Sequence, residues 1–255
     1  MAETARRRDV IEAPRPVTPA DAAAMAARFD GVSTAAMLAE LLAGDLRHRV
    51  AVVSSFGAES AVLLHMIAAI DRSVPVVFVD TQQMFDETLA YRDRLIERLG
   101  LTDLRIVHPD PLALAARDGE GLRWSYDPDG CCDLRKVAPL ARALAPFDAW
   151  LSGRKGYQAV TRAALPRFEA DDGRLKINPL VGWERPEIAA YFAAHDLPPH
   201  PLEAQGFASI GCAPCTSKVR PGEDPRAGRW RGLDKVECGI HRPAGGDGYK
   251  TETLA

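Results

Sequence analysis

The sequence predicts a doubly wound α/β fold with a mainly parallel sheet. Three observations carry that expectation: short apolar β-branched runs recur through the middle of the chain, each is followed by a helix-forming segment, and the runs are continuously apolar. Strands that read as continuous rather than alternating belong to sheets covered on both faces.

The elements follow in order. Thr18-Pro19 opens a first helical segment, and Ser33 caps "TAAMLAELLAG", which stops at Gly44. Residues 1–44 therefore read as an N-terminal helical segment. "RVAVVSSF" (49–56) is the first strand, and "ESAVLLHMIAAI" (59–70) is apolar nearly all round, as a buried helix is. "VPVVFVD" (74–80) is a second strand. "DETLAYRDRLIERLG" (86–100) is amphipathic, with Leu89, Leu95, Ile96 and Leu99 on one side and Gly100 as its stop. "LRIVHP" (104–109), "DAWLSG" (148–153) and "LKINPL" (175–180) supply three more strands, and "RPEIAAYFAAH" (185–195) a helix with Pro186 in its first turn. Residues 45–211 thus form one α/β domain by expectation. Residues 221–255 hold seven of the 20 glycines and few large apolar residues, so 212–255 reads as a mobile tail rather than a second domain.

Composition narrows the function classes. A net charge of −3 gives no global basic field for nucleic-acid binding, and no apolar run reaches membrane-spanning length. "MAETARRRDV" has arginines but no apolar stretch behind them, so it does not read as a secretory signal; Glu3, Asp9 and Glu12 argue against a transit peptide. The expected compartment is the cytoplasm, where cysteines serve metals or catalysis more often than disulfides.

"SSFGAES" (54–60) lies where the first strand feeds a helix, the position at which open α/β sheets bind ligands. Gly57 allows close backbone approach, the helix start carries partial positive charge, and Ser55 and Ser60 add hydroxyl donors, a set that suits phosphate. A capped turn without ligand is the other reading. The glycine and lysine spacings of the dinucleotide fingerprint and the Walker A loop are both missing.

The five cysteines are the sharpest signal: Cys131-Cys132, then "CAPC" (Cys212, Cys215), then Cys238 in "ECGIH". A lone C-x-x-C pair leaves zinc, redox and cluster chemistry open. Adjacent helical residues point about 100° apart, which makes convergence of Cys131 and Cys132 on one ion awkward. A [4Fe-4S] cluster, one per subunit, removes the difficulty because different thiolates bind different corners. Lys136, four residues after Cys132, and Arg135 beside it would offset the cluster's negative charge.

"SFGAES", "DTQQMFDETLAYR", "CCDLRKVAPL", "GRKGYQAVTRAALPRF", "CAPC" and "ECGIH", in this order over residues 45–241, resemble the assimilatory adenylyl-sulfate reductases. The first of these also resembles the pyrophosphate loop of adenine-nucleotide hydrolase-like domains, with Phe56 in place of a Gly and Glu59 in place of an Asp. The resemblance implies that fold, a [4Fe-4S] cluster on Cys131, Cys132, Cys212 and Cys215, and Cys238 as nucleophile toward adenosine 5′-phosphosulfate.

Cysteine arithmetic points the same way. Four thiols on a cluster leave Cys238 without a resolving partner in its own chain, so an external dithiol, thioredoxin or glutaredoxin, must complete turnover. Lys235, Arg229, Arg231 and His241 are expected to favour the thiolate and bind substrate oxygens, with Glu237 opposing them; Arg154 and Lys155 sit at another strand end. Rival readings are a 3′-phosphoadenylyl-sulfate reductase, a tRNA-modifying or sulfur-transfer enzyme on the same fold, and a non-catalytic iron–sulfur redox sensor. A homo-oligomer stays open.

Overall fold

The computed structural model describes residues 16–233 and 235–241; the N-terminal arginines and the end of the expected tail (242–255) lie outside the described residues. Two helices come first, α1 (Pro19–Arg28) and α2 (Thr34–Ala43). Thr18 caps α1 in a reciprocal box with Asp21, and the Ser33 hydroxyl accepts from the Ala36 N–H at 3.3 Å, so both starts lie where side-chain oxygens replace missing helical acceptors.

The core alternation then begins. β1 (Val50–Val53), α3 (Ser60–Ile70), β2 (Val76–Val79), α4 (Asp86–Leu99) and β3 (Leu104–Val107) wind in one direction. α4 ends where Gly100 takes φ +64°, a left-handed stop that costs glycine little. Short helices α5 (Pro111–Arg117), α6 (Arg123–Tyr126), α7 (Pro128–Cys132) and α8 (Ala138–Leu144) return the chain to β4 (Ala149–Ser152). A hairpin of β5 (Phe168–Asp171) and β6 (Arg174–Ile177) and the helix α9 (Arg185–Ala194) complete the layers.

The sheet has six strands in the order β3-β2-β1-β4-β6-β5, parallel except at β5. β5 is the strand missing from the sequence reading. Its signal is Asp172-Gly173, both at positive φ (49° and 74°), the two-residue turn that pairs Asp171 with Arg174. Inner strands bury alternate residues on opposite faces. Val50 and Val52 join the larger core under α2, α3 and α4, while Ala51, Val77 and Trp150 join a smaller one with Leu140 and Leu144 of α8. That two-sided burial is why the strands read as unbroken apolar runs. Among the described residues no helix is long and apolar enough to cross a membrane.

Winding reverses between β1 and β4, which are neighbours in the sheet. Their carboxyl ends therefore diverge into a crevice at the switch point. Everything that follows is built there.

Candidate functional site

The crevice holds a cavity of about 230 Å³. One wall is the turn after β1. Phe56 is fully buried and held at φ +48°, a left-handed conformation that a bulky residue adopts only under constraint. The constraint is visible: its ring packs edge-on against Phe78 at 5.4 Å, and its N–H donates to the Ser54 hydroxyl at 3.1 Å. Phe56 thus turns inward where a smaller residue would leave a gap, and Ser55, Gly57 and Ser60 line the cavity. Ser60 Oγ donates to the Gly57 carbonyl at 2.7 Å, which fixes the turn.

Glu59, also in this turn, accepts from Tyr157 Oη (2.5 Å) and Gln158 Nε2 (2.8 Å) and pairs with Lys155 Nζ at 3.1 Å. Burial works against the Glu59 charge, yet Lys155 and the hydrogen bonds hold its carboxyl below the usual range. The β1 turn and the loop after β4 are thereby joined. Arg154, next in that loop, lines the cavity but is committed to Glu169 and Asn178 Oδ1.

The segment after the sheet forms the opposite wall. Cys238 is half-buried in the cavity, and Lys136 Nζ lies 3.9 Å from its sulfur. A hydrogen bond from the Cys132 thiol is the main influence holding Cys238 well below the ordinary thiol range; burial opposes it, and Lys136, the Ile240 N–H and Arg229 assist. Burial disfavours the Lys136 charge, but the sulfurs of Cys212, Cys238 and Cys132 overcome it and raise its pKa.

Glu237 was expected to oppose a thiolate. The structure instead neutralises it: Arg162 binds both its oxygens, Arg226 pairs with it at 3.1 Å, and it accepts from the Cys238 N–H. Its charge is spent on holding Cys238 in place. Arg162 and Arg226 are the site residues that sequence reasoning did not single out. Arg162 sits inside the quoted "GRKGYQAVTRAALPRF", so the signal was there.

Arg229 and His241 line the same cavity. Among the described residues, three buried polar side-chain atoms have no partner: Arg229 Nε, His241 Nδ1 and Trp150 Nε1. All three belong to residues that line this cavity. Burial, with Arg154, Lys176, Arg162 and Arg226 around it, keeps His241 neutral. Gly211 makes room for Arg229, since a Cβ there would collide with the guanidinium. Two expected contacts lie elsewhere. Arg231 is at the surface, paired with Glu223 at 2.8 Å, because its segment turns outward after Trp230. Lys235 is buried against Asp129 and the Trp230 ring.

Behind Lys136, the cysteines Cys131, Cys132, Cys212 and Cys215 border one small cavity together with Arg135. All four are buried free thiols. Cys131 and Cys132 end α7, and the chain then opens into a wide π-helical turn, Asp133–Val137, before α8. Such turns break the regular helical face and recur at functional sites. Burial, followed by the neighbouring Cys212 sulfur, pushes the Cys131 thiol up to about 11.

Residues 49–218 match the family described as Phosphoadenosine phosphosulfate reductase domain. The chain belongs to this family. A relative from Mesorhizobium japonicum named adenosine 5′-phosphosulfate reductase is 56% identical over 203 residues, covering 79% of this chain and 80% of its own. A Gloeobacter violaceus relative named phosphoadenosine 5′-phosphosulfate reductase is 40% identical over 226 residues, covering 85% and 92%. Among solved structures, the phosphate complex of phosphoadenylyl-sulfate reductase from Candida auris superposes with a TM-score of 0.67 at 26% identity, covering 80% of this chain and 98% of that one. The six-stranded sheet is thus the adenine-nucleotide hydrolase-like fold of this reductase family, and its switch-point crevice is the cavity described above.

Proposed function

We propose that this chain reduces adenosine 5′-phosphosulfate to sulfite and AMP in assimilatory sulfate reduction, with Cys238 as the nucleophile. The observation that carries the reading is the placement of Cys238 inside the switch-point cavity, 3.9 Å from Lys136 Nζ and facing the turn after β1. The Cys238 thiolate attacks the sulfate sulfur, the bond from that sulfur to the bridging oxygen breaks, and its electron pair leaves on AMP. S-Sulfocysteine remains. A thiolate of an external dithiol protein, thioredoxin or glutaredoxin, then attacks the Cys238 sulfur and displaces sulfite. The partner's second thiol resolves the mixed disulfide, so the partner is oxidised and Cys238 returns as thiolate.

This chain's residues have separate tasks. The β1 turn with Ser55, Gly57 and Ser60 binds the nucleotide's phosphate at the start of α3. Lys136 and Arg229 offset negative charge at the sulfate and the leaving group, and His241 and Arg154 complete the polar wall.

The residues also fit a [4Fe-4S] cluster, one per subunit. Four buried thiols, none in a disulfide, border one cavity beside Arg135 and Lys136. Among the described residues no group of three or more His, Cys, Asp or Glu side chains is placed to hold a metal ion, so the fit rests on the donor set and its shared cavity. An all-cysteine donor set around a shared cavity is what a four-iron cluster uses. Cys131, Cys132, Cys212 and Cys215 would hold it, and bound there it would supply a fixed anionic centre that ties α7 to the Cys212–Cys215 segment.

The test is incubation of the protein with adenosine 5′-phosphosulfate in the absence of reductant, followed by peptide mass spectrometry. A sulfite adduct on Cys238, absent from Cys238→Ser, is the expected outcome; no adduct on any cysteine sinks the reading. The 3′-phosphorylated substrate is the second reading, favoured by the activity for which the Gloeobacter violaceus relative is named. Comparing adduct formation with the two substrates decides between them.

A further inference from the structure

We propose that Val236 and Val160 form the docking surface for the dithiol protein that discharges Cys238. The inference rests on the proposed reaction, because only an S-sulfocysteine needs such a partner.

The two valines are conspicuous by exposure. Val160 is 94% exposed and Val236 68%, while inward-facing neighbours on the same segments line the cavity. Val236 precedes Cys238 by two residues and is exposed, whereas Cys238 lines the cavity. Val160 belongs to the short turn Val160–Arg162. Arg162 of that turn binds Glu237, and Arg226 donates to the Val236 carbonyl at 2.9 Å. These contacts place the two valines on adjoining segments at the rim of the cavity that holds Cys238. Neither valine lines the cavity itself.

The occupant follows from the chemistry. Cys132 reaches Cys238, but as a ligand of the proposed cluster it is not available as a resolving thiol, and Cys131, Cys212 and Cys215 are buried around the small cavity they share with it. The discharging thiol must arrive on another molecule, across the surface around Cys238. Encounters between redox proteins are small, below about 1,200 Å², so a few apolar anchors carry much of the affinity. The exposed apolar side chains Leu112 and Tyr126 lie on α5 and α6, neither of which contributes a residue to this cavity. Cys238 is half-buried, so docking must also draw residues 235–241 outward, and Val236 is the apolar handle on that segment.

The experiment uses Val160→Asp, Val236→Asp and, as a control, Leu112→Asp in the full-length protein. Three rates are read: formation of the Cys238 adduct without reductant, sulfite release driven by a small dithiol such as dithiothreitol, and sulfite release driven by reduced thioredoxin. The expected result is a rise of about tenfold in the KM for thioredoxin for the two valine variants, the size of losing one interface anchor. Adduct formation and dithiothreitol-driven release stay within about twofold, and Leu112→Asp changes nothing. Unchanged thioredoxin kinetics overturn the proposal while leaving the nucleophile assignment intact. Equal losses in all three rates overturn it too, since the valines then only position the segment. If wild-type protein forms no adduct, the underlying reaction fails, and the docking surface with it.

Discussion

Arg162 holds Glu237 through two bonds, Nε to Oε2 at 2.8 Å and Nη2 to Oε1 at 2.7 Å, and Glu237 in turn accepts the N–H of Cys238. Both partners are mostly buried, with side chains 9% and 17% exposed. Burial alone would raise the Glu237 pKa, yet Arg162 and Arg226 hold it below the usual carboxylate range. The pair is the latch of the segment that carries Cys238. Arg162→Ala should therefore release residues 235–241 without unfolding the domain. Charge-assisted hydrogen bonds contribute roughly 1.5–3 kcal/mol. At about 1.4 kcal/mol per tenfold, amide exchange in this segment should quicken by about one to two orders of magnitude. Hydrogen exchange read by mass spectrometry checks it, with α3 as an internal reference; equal rates in variant and wild type would refute the latch.

His200 gives the fold a pH dependence. It is 1% exposed, its Nδ1 accepts from the Leu202 N–H at 3.1 Å, and Nε2 lies 3.2 Å from Thr88 Oγ1. Burial lowers its pKa from 6.5 to about 4; Glu87 opposes this by a smaller amount and Arg94 adds to it. The unfolded chain therefore binds a proton between pH 6.5 and about 4 where the folded chain does not, so stability is lost as pH falls through that window and levels off below it. At about 1.36 kcal/mol per unit, the loss approaches roughly 3 kcal/mol. Urea unfolding at a series of pH values should show His200→Gln with a flatter slope than wild type over this window. Parallel slopes would remove His200 as the cause.

How much of this was legible beforehand depends on whether a signal was local. The five parallel strands and the helix ends at Thr18, Ser33 and Gly100 were readable because patterning and capping act over a few residues. β5 was missed although Asp172-Gly173 announces it, since "FEAD" is too polar and short to stand out as a strand. The cysteines that border one cavity were legible by residue type. The roles of charged residues were not, because pairing is decided in three dimensions. Arg231 and Arg229 are two positions apart, yet one binds Glu223 at the surface and the other enters the cavity. Glu237, read as an opponent of the thiolate, proved to be its anchor because Arg162 arrives from a segment 75 residues away.

Arg135 and Asp118 form the most buried ion pair described, at 2.7 Å with side chains 6% and 1% exposed. Arg135 also donates to the Thr81 carbonyl at 2.8 Å, and Asp118 accepts from the Arg123 N–H, so the pair binds the π-helical turn to the loops after β2 and α5. Removing one charge leaves the other buried and unpaired. Asp118→Asn should destabilise the protein by about 3–5 kcal/mol, whereas replacing both partners by apolar residues of similar volume should restore much of that. Denaturant unfolding of the single and double variants tests this. A double variant no more stable than the single would show that the hydrogen bonds to Thr81 and Arg123, rather than charge burial, dominate.

The four-thiol cavity makes the last prediction. Burial raises the pKa values of Cys131 and Cys215, and the hydrogen bond to Cys238, then burial, raises that of Cys132, so in the absence of metal these groups resist ionisation. Binding of the proposed cluster would have to supply the energy to make them thiolates, and metal affinity would then become folding stability. Removing iron with a chelator under anaerobic conditions should bleach the visible chromophore, lower Tm and expose thiols to alkylation. Cys131→Ser should purify without the chromophore and already show the lowered Tm. Cys238→Ser should keep colour, iron and Tm, because Cys238 lines the switch-point cavity and does not border the four-thiol cavity. Iron content measured beside the melting curves separates the two classes of cysteine. Loss of iron from Cys238→Ser, or its full retention in Cys131→Ser, would show that the ligand set has been drawn wrongly.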